Sequence, residues 1–133
     1  MIVVDTNLLV YLYVPSARTS QAEAVFHRDS LWVTAYLWRS EFRNTLVGLI
    51  RQGNLSLDTA RHMAHRAESF MAGREYTVVT DRVLRLAAES GCSAYDCEFV
   101  AVAQDLRVPL VSADRQLLRA FPSTAVSLDD FVR

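Results

Sequence analysis

Residues 1–7 read MIVVDTN and residues 108–114 read VPLVSAD. Each is a short run of aliphatic, mostly β-branched residues closed by an aspartate. Continuous apolar runs of this length fit strands buried on both faces, the pattern of a parallel sheet rather than of a half-exposed antiparallel one. Segments of helical periodicity lie between them, and strands alternating with helices predict an α/β fold: a three-layer α/β/α sandwich with a central parallel sheet. Ligand sites in such folds lie beyond the carboxyl ends of the strands. Asp5 and Asp114 both stand at that position.

The remaining elements follow from spacing and capping signals. Residues 7–14 (NLLVYLYV) form a short helical segment stopped by Pro15 and Ser16, and residues 20–29 form a second helix with Ala22, Val25 and Phe26 on one face. LWVTA at 31–35 is a β-type run. In the helix over 36–53, Trp38, Phe42, Leu46 and Leu49 make the core stripe, and Gly53 and Asn54 end it. Ser56 caps a helix over 57–73, EYTVVT at 75–80 reads as extended, and residues 81–90 form a helix closed by Gly91. Ser93 then caps a helix over 94–106 that buries Tyr95, Phe99, Val102 and Leu106, with Val100 and Ala103 beside them. Residues 115–121 give a helical turn or two, and 124–132 hold a last short strand.

With 133 residues, 51% of them hydrophobic, the chain has the size of one domain with a core of its own, spanning residues 1–133. No repeats, linkers or low-complexity segments interrupt it. No apolar stretch is long enough to span a bilayer and the start carries no secretory pattern, so a soluble, cytoplasmic protein is expected. Cys92 and Cys97 are too few for a zinc site and read as small buried thiols. The formal net charge is −1, yet gathering four of the 15 acids into one site leaves the rest of the chain positive, with arginine supplying all 14 basic residues. Charge therefore neither requires nor excludes a nucleic-acid partner.

Two acids beyond neighbouring parallel strands would repel each other unless a cation held them. Taken singly, each has an ordinary role: Asp5 and Asp114 can cap the helices that follow them. Glu41 shares a helix stripe with Leu37, Ser40, Asn44, Thr45 and Gly48, small or neutral side chains that suit a half-buried site, although a surface pairing with Arg39 or Arg43 is the alternative. Asp96 falls three residues after Ser93, as in a capping box, at the start of a largely buried helix. One fold can bring all four to the same sheet edge. Three or four carboxylates without His or Cys suit a hard ion, Mg²⁺ or Mn²⁺, and such a site suits phosphodiester hydrolysis by metal-activated water.

The order VVDTN (3–7), SEFRN (40–44) and SAYDCEFVAVAQDLRVPLVSADRQLL (93–118) resembles the PIN-domain family, and in length and layout looks like a VapC-type toxin of a toxin–antitoxin pair. The resemblance covers essentially the whole chain. It implies a metal-dependent endoribonuclease whose catalytic acids are Asp5, Glu41, Asp96 and Asp114, with Asp5, Asp96 and Asp114 holding the metal. Asn7 matches a residue that supports the first aspartate, and Ser112 stands where family members often have Thr. The resemblance also implies a homodimer and a partner antitoxin that covers the active-site groove. Where some members carry a further acid, this chain has Arg115 and Gln116, which leaves the number of metal ions open.

Other residues attract weaker readings. Arg39 and Arg43 are possible RNA or antitoxin contacts. His62 and His65 share a helix face without a third ligand, and Trp32, Trp38, Tyr11, Tyr13 and Tyr36 read as packing or contact residues rather than base-stacking ones. Glu98 points to another side of its helix and stays outside the core set. Two further functions compete with the toxin: a PIN nuclease for RNA maturation or DNA processing, and a non-catalytic Mg²⁺-binding α/β module of receiver type. The absence of lysine disfavours the receiver, which needs one.

Overall fold

The computed structural model describes all residues 1–133. The elements run β1 (Ile2–Val4), α1 (Thr6–Tyr13), α2 (Thr19–Arg28), β2 (Trp32–Ala35), α3 (Trp38–Arg51), α4 (Leu57–Met71), β3 (Glu75–Tyr76), α5 (Thr80–Ser90), α6 (Ala94–Leu106), β4 (Leu110–Val111), α7 (Arg115–Ala120), β5 (Ala125–Val126) and α8 (Leu128–Val132). The strands form one parallel sheet in the order β3-β2-β1-β4-β5. Helices flank it to give the three-layer α/β/α sandwich expected from the sequence.

The apolar runs form the centre of the sheet because side chains on both faces of the strand can be covered there, as they are in β2 beside them. Ile2, Val3, Val4, Leu110 and Val111 are each 1% exposed or less. β1 pairs with β4 through Val3–Leu110 and Val4–Val111, so the aspartates that follow these strands leave the sheet at adjacent places. α6 packs across β1, β2 and β4, with α5 against it. Trp32, Phe26 and Phe70 cluster with rings 5.7–6.1 Å apart, and Trp38 meets Phe42 edge-on at 5.5 Å. No helix is long and apolar enough to cross a membrane.

Several expectations change in detail. The extended segment at 75–80 contributes only Glu75–Tyr76 to the sheet, because α5 starts at Thr80. The last strand is likewise two residues, since Ser127 caps a further helix, α8, through its hydroxyl and the Asp130 N–H. Ser127 followed by Asp129 and Asp130 is a helix-start signal, so the strand expected over 124–132 gives way to a helix. Tyr95, expected in the core, is 64% exposed, whereas Cys97, on the other side of α6, is fully buried. Both cysteines are buried free thiols. Gly91 ends α5 at φ +76°, the left-handed conformation that suits glycine.

Candidate active site

Beyond the carboxyl ends of β1 and β4 lies a cavity of about 360 Å³ whose walls include Asp5, Glu41, Asp96 and Asp114. Four different stretches of chain supply them: the β1–α1 junction, α3, α6 and the β4–α7 junction. The small-residue stripe predicted beside Glu41 does face the cavity, through Leu37, Ser40, Asn44 and Thr45. Asn7, Thr6, Tyr95 and Phe99 complete the lining.

Asp5 is 6% exposed. Its Oδ1 accepts the Leu8 N–H at 3.2 Å, so the residue is indeed the N-cap of α1, and its Oδ2 accepts the Ser112 hydroxyl at 2.6 Å. Capping and membership of the acidic site therefore coexist, as two oxygens allow. Burial pushes the Asp5 carboxyl up to about 6, and the charges of Asp114 and Asp96 push the same way, against the hydrogen bonds from Ser112 and Leu8. Asp96 is also raised, by burial first and then by Asp114, with the Ser93 hydroxyl opposing. These three carboxylates feel one another.

Asp114 caps α7: its Oδ1 accepts the N–H groups of Gln116 at 2.8 Å and Leu117 at 3.2 Å. The Asp114 N–H in turn donates to Ser112 Oγ at 3.0 Å, so the fully buried Ser112 joins the ends of β1 and β4. Ser93 Oγ accepts the Asp96 N–H at 3.0 Å. Asp96 does not accept the Ser93 N–H in return, so only half of a capping box forms and the carboxylate faces the cavity. Glu41 is not paired with Arg39 or Arg43; its Oε1 accepts the Thr6 hydroxyl at 2.7 Å.

Thr6 is the residue that sequence reading passed over. It is 6% exposed, and its signal was its place between Asp5 and Asn7, but its partner lies 35 positions away. Asn7 lines the cavity without a hydrogen bond to Asp5; Ser112 and the Leu8 N–H provide that support. Burial, and after it the nearby charge of Glu41, raises the Glu98 carboxyl, so it borders the site more nearly than its helix position suggested. Arg39 is committed elsewhere: its guanidinium pairs with both oxygens of Glu75 at 2.6 and 2.9 Å, beside the Trp38 indole N–H on the same carboxylate at 2.8 Å. Arg43 reaches Glu68 at 3.3 Å and stays mostly exposed. His62 and His65 sit with Tyr13, Arg66 and Ser69 in a separate shallow cleft.

The donor set is oxygen alone, which fits a hard divalent ion and not zinc. As they stand, no three His, Cys, Asp or Glu side chains are grouped tightly enough to hold a metal ion.

This geometry can be set beside known proteins. Residues 2–121 match the PIN domain. The chain belongs to the PIN-domain family. This PIN domain is 32% identical over 125 residues to Ribonuclease VapC3 of Pyrobaculum aerophilum, covering 92% of this chain and 95% of that one. Among solved structures it resembles PAE2754 of Pyrobaculum aerophilum, with 25% identity, a TM-score of 0.77, and coverage of 98% of this chain and 85% of that chain. FitAcB of Neisseria gonorrhoeae shares the fold at 17% identity and TM-score 0.72, covering 96% and 98% of the two chains. A toxin–antitoxin complex from Klebsiella pneumoniae does so at 16% identity and TM-score 0.68, with the same coverage.

Proposed function

We propose that this PIN domain is a metal-dependent endoribonuclease and the toxin of a type II toxin–antitoxin pair, hydrolysing RNA phosphodiester bonds with water. The observation that carries this reading is the meeting of Asp5, Glu41, Asp96 and Asp114 in one cavity, with Asp5 desolvated and raised to about 6. The name of its 32% identical relative, a ribonuclease, supports the choice of RNA. The toxin–antitoxin complex among its structural neighbours supports the biological setting.

Asp5, Asp96 and Asp114 would hold Mg²⁺ or Mn²⁺. A bound divalent ion supplies charge for the phosphate oxygens, acidifies water and stabilises the transition state. Ser112 fixes the Asp5 carboxylate through Oδ2, and the cap to Leu8 fixes the other oxygen. Thr6 holds Glu41 by Oε1, which leaves Oε2 to accept a proton from the attacking water. Without a cation, four acids in a cavity would repel an RNA phosphate.

On this reading the protein acts in the cytoplasm, forms a homodimer and is silenced by an antitoxin; exposed Leu57, Val79 and Leu84 are apolar surface suited to protein contacts. Purified protein supplied with Mg²⁺ or Mn²⁺ should cut RNA, and chelation should stop it. Asp5→Asn and Asp96→Asn should abolish cutting in folded protein. Full activity in either variant would overturn the site assignment. A small neighbouring gene for a DNA-binding antitoxin separates the toxin from a nuclease of RNA maturation.

A further inference from the structure

α6 is the most thoroughly buried helix of the molecule: Cys97 and Phe99 to Ala103 are all 2% exposed or less. Tyr95 departs from that pattern with 64% of its surface in solvent. The Ser93 cap fixes where the helix starts and hence where Tyr95 stands, one residue before Asp96 and at the wall of the acidic cavity. Phe99, one turn further along the same face, also lines the cavity and is 1% exposed. With Leu37 these two rings are the apolar part of a wall otherwise made of acids, hydroxyls and amides.

No basic side chain lines this cavity. Carboxylates and a cation can address a phosphate group, but they offer nothing to a base. An exposed aromatic ring beside the acids offers a flat apolar face to any base, since every base has one. We infer that Tyr95 is a substrate-binding residue, its ring stacking on the base of a nucleotide that adjoins the scissile phosphate and so setting that phosphate against Asp96 and Asp5.

The inference rests on the RNA-nuclease reading above, and one experiment separates the two. A single-stranded RNA pool of randomised sequence, in which scattered nucleotides lack their base, is cut with Mn²⁺ by the wild type and by Tyr95→Ala, Tyr95→Phe and Tyr95→Trp. Stacking on one base contributes about 1–3 kcal/mol, so Tyr95→Ala should raise KM by about 5- to 150-fold with kcat largely kept. Tyr95→Phe and Tyr95→Trp should stay near wild type. Wild-type products should be depleted of missing bases at one register relative to the cut, and that depletion should vanish in Tyr95→Ala. An unchanged KM, a loss confined to kcat, or the same depletion pattern in both proteins would overturn the stacking role alone. No cutting by the wild type would overturn the nuclease reading and the stacking role with it.

Discussion

Ser112 Oγ donates to Asp5 Oδ2 at 2.6 Å and accepts the Asp114 N–H at 3.0 Å, so one hydroxyl ties together two acids that lie 109 positions apart. Removing it leaves Asp5 with one hydrogen bond and strips the Asp114 N–H of its acceptor. Ser112→Ala should cost about 1–3 kcal/mol in thermal or denaturant unfolding. On the proposed function, in which Asp5 holds the metal, losing this support should also lower RNA cleavage by about 10- to 100-fold. Ser112→Thr, which keeps the hydroxyl, should retain most of the activity; equal losses in both variants would point to packing instead.

Burial makes the charged form of Asp5 costly to the fold. Replacing it with Asn removes a carboxylate that burial holds at about 6 instead of its ordinary 3.8. Near neutral pH and without metal, Asp5→Asn should be more stable than the wild type, by up to roughly 3 kcal/mol, while cutting no RNA. A metal-free melt in which Asp5→Asn unfolds earlier than the wild type would refute this.

The same raised carboxyl dictates a pH dependence. The folded state holds the Asp5 proton more tightly than the unfolded chain, so the contribution of this group to stability is fully present below about pH 4 and is lost as pH rises through about 6. Asp96, raised as well, acts in the same sense. Glu75, lowered first by its Arg39 hydrogen bonds, acts oppositely: its contribution is present above its ordinary 4.5 and fades as the solution is acidified. Comparing metal-free melts of wild type and Asp5→Asn across this range isolates the Asp5 part. Cleavage and metal binding should both fall as pH drops through about 6, because protons compete with the cation at Asp5.

Thr6 acts on Glu41 through a single hydrogen bond of 2.7 Å. Thr6→Val keeps the shape and removes the hydroxyl, and should cost about 1 kcal/mol of stability. If Glu41 must be held to take part in cleavage, kcat should fall by about tenfold or more while RNA binding is kept. Unchanged kcat would leave Thr6 a merely structural residue.

Arg39 and Arg43 stand one turn apart on α3 and should behave differently. The Glu75 side chain is 4% exposed and depends on Arg39 and Trp38, so Arg39→Ala strands a largely buried carboxylate. About 1–3 kcal/mol of stability should be lost, less than for a wholly buried pair because Arg39 itself is partly in solvent. Arg43→Ala should change stability by less than about 0.5 kcal/mol. A drop in RNA affinity for Arg39→Ala with an unchanged melting temperature would instead favour the RNA contact that the sequence suggested.

The sequence marks the sheet centre, because the aliphatic runs at 2–4 and 110–111 are satisfied where both faces are covered. It likewise determined the α/β alternation, the caps at Ser56, Ser93 and Gly91, and the four acids as candidates, since turn chemistry and apolar periodicity are local. Its errors were local too, where signals conflicted. Tyr95 sits at helical spacing with buried residues, yet it lies at the helix end beside an open cavity, so periodicity counted it as core. The pairings that make the site come from packing. Strand order sets Asp5 beside Ser112, and the approach of α3 to α1 gives Glu41 to Thr6 and leaves Arg39 to Glu75. A hydrogen bond needs atoms within about 3 Å, and for residues far apart in sequence that distance is set by packing, which no local pattern encodes.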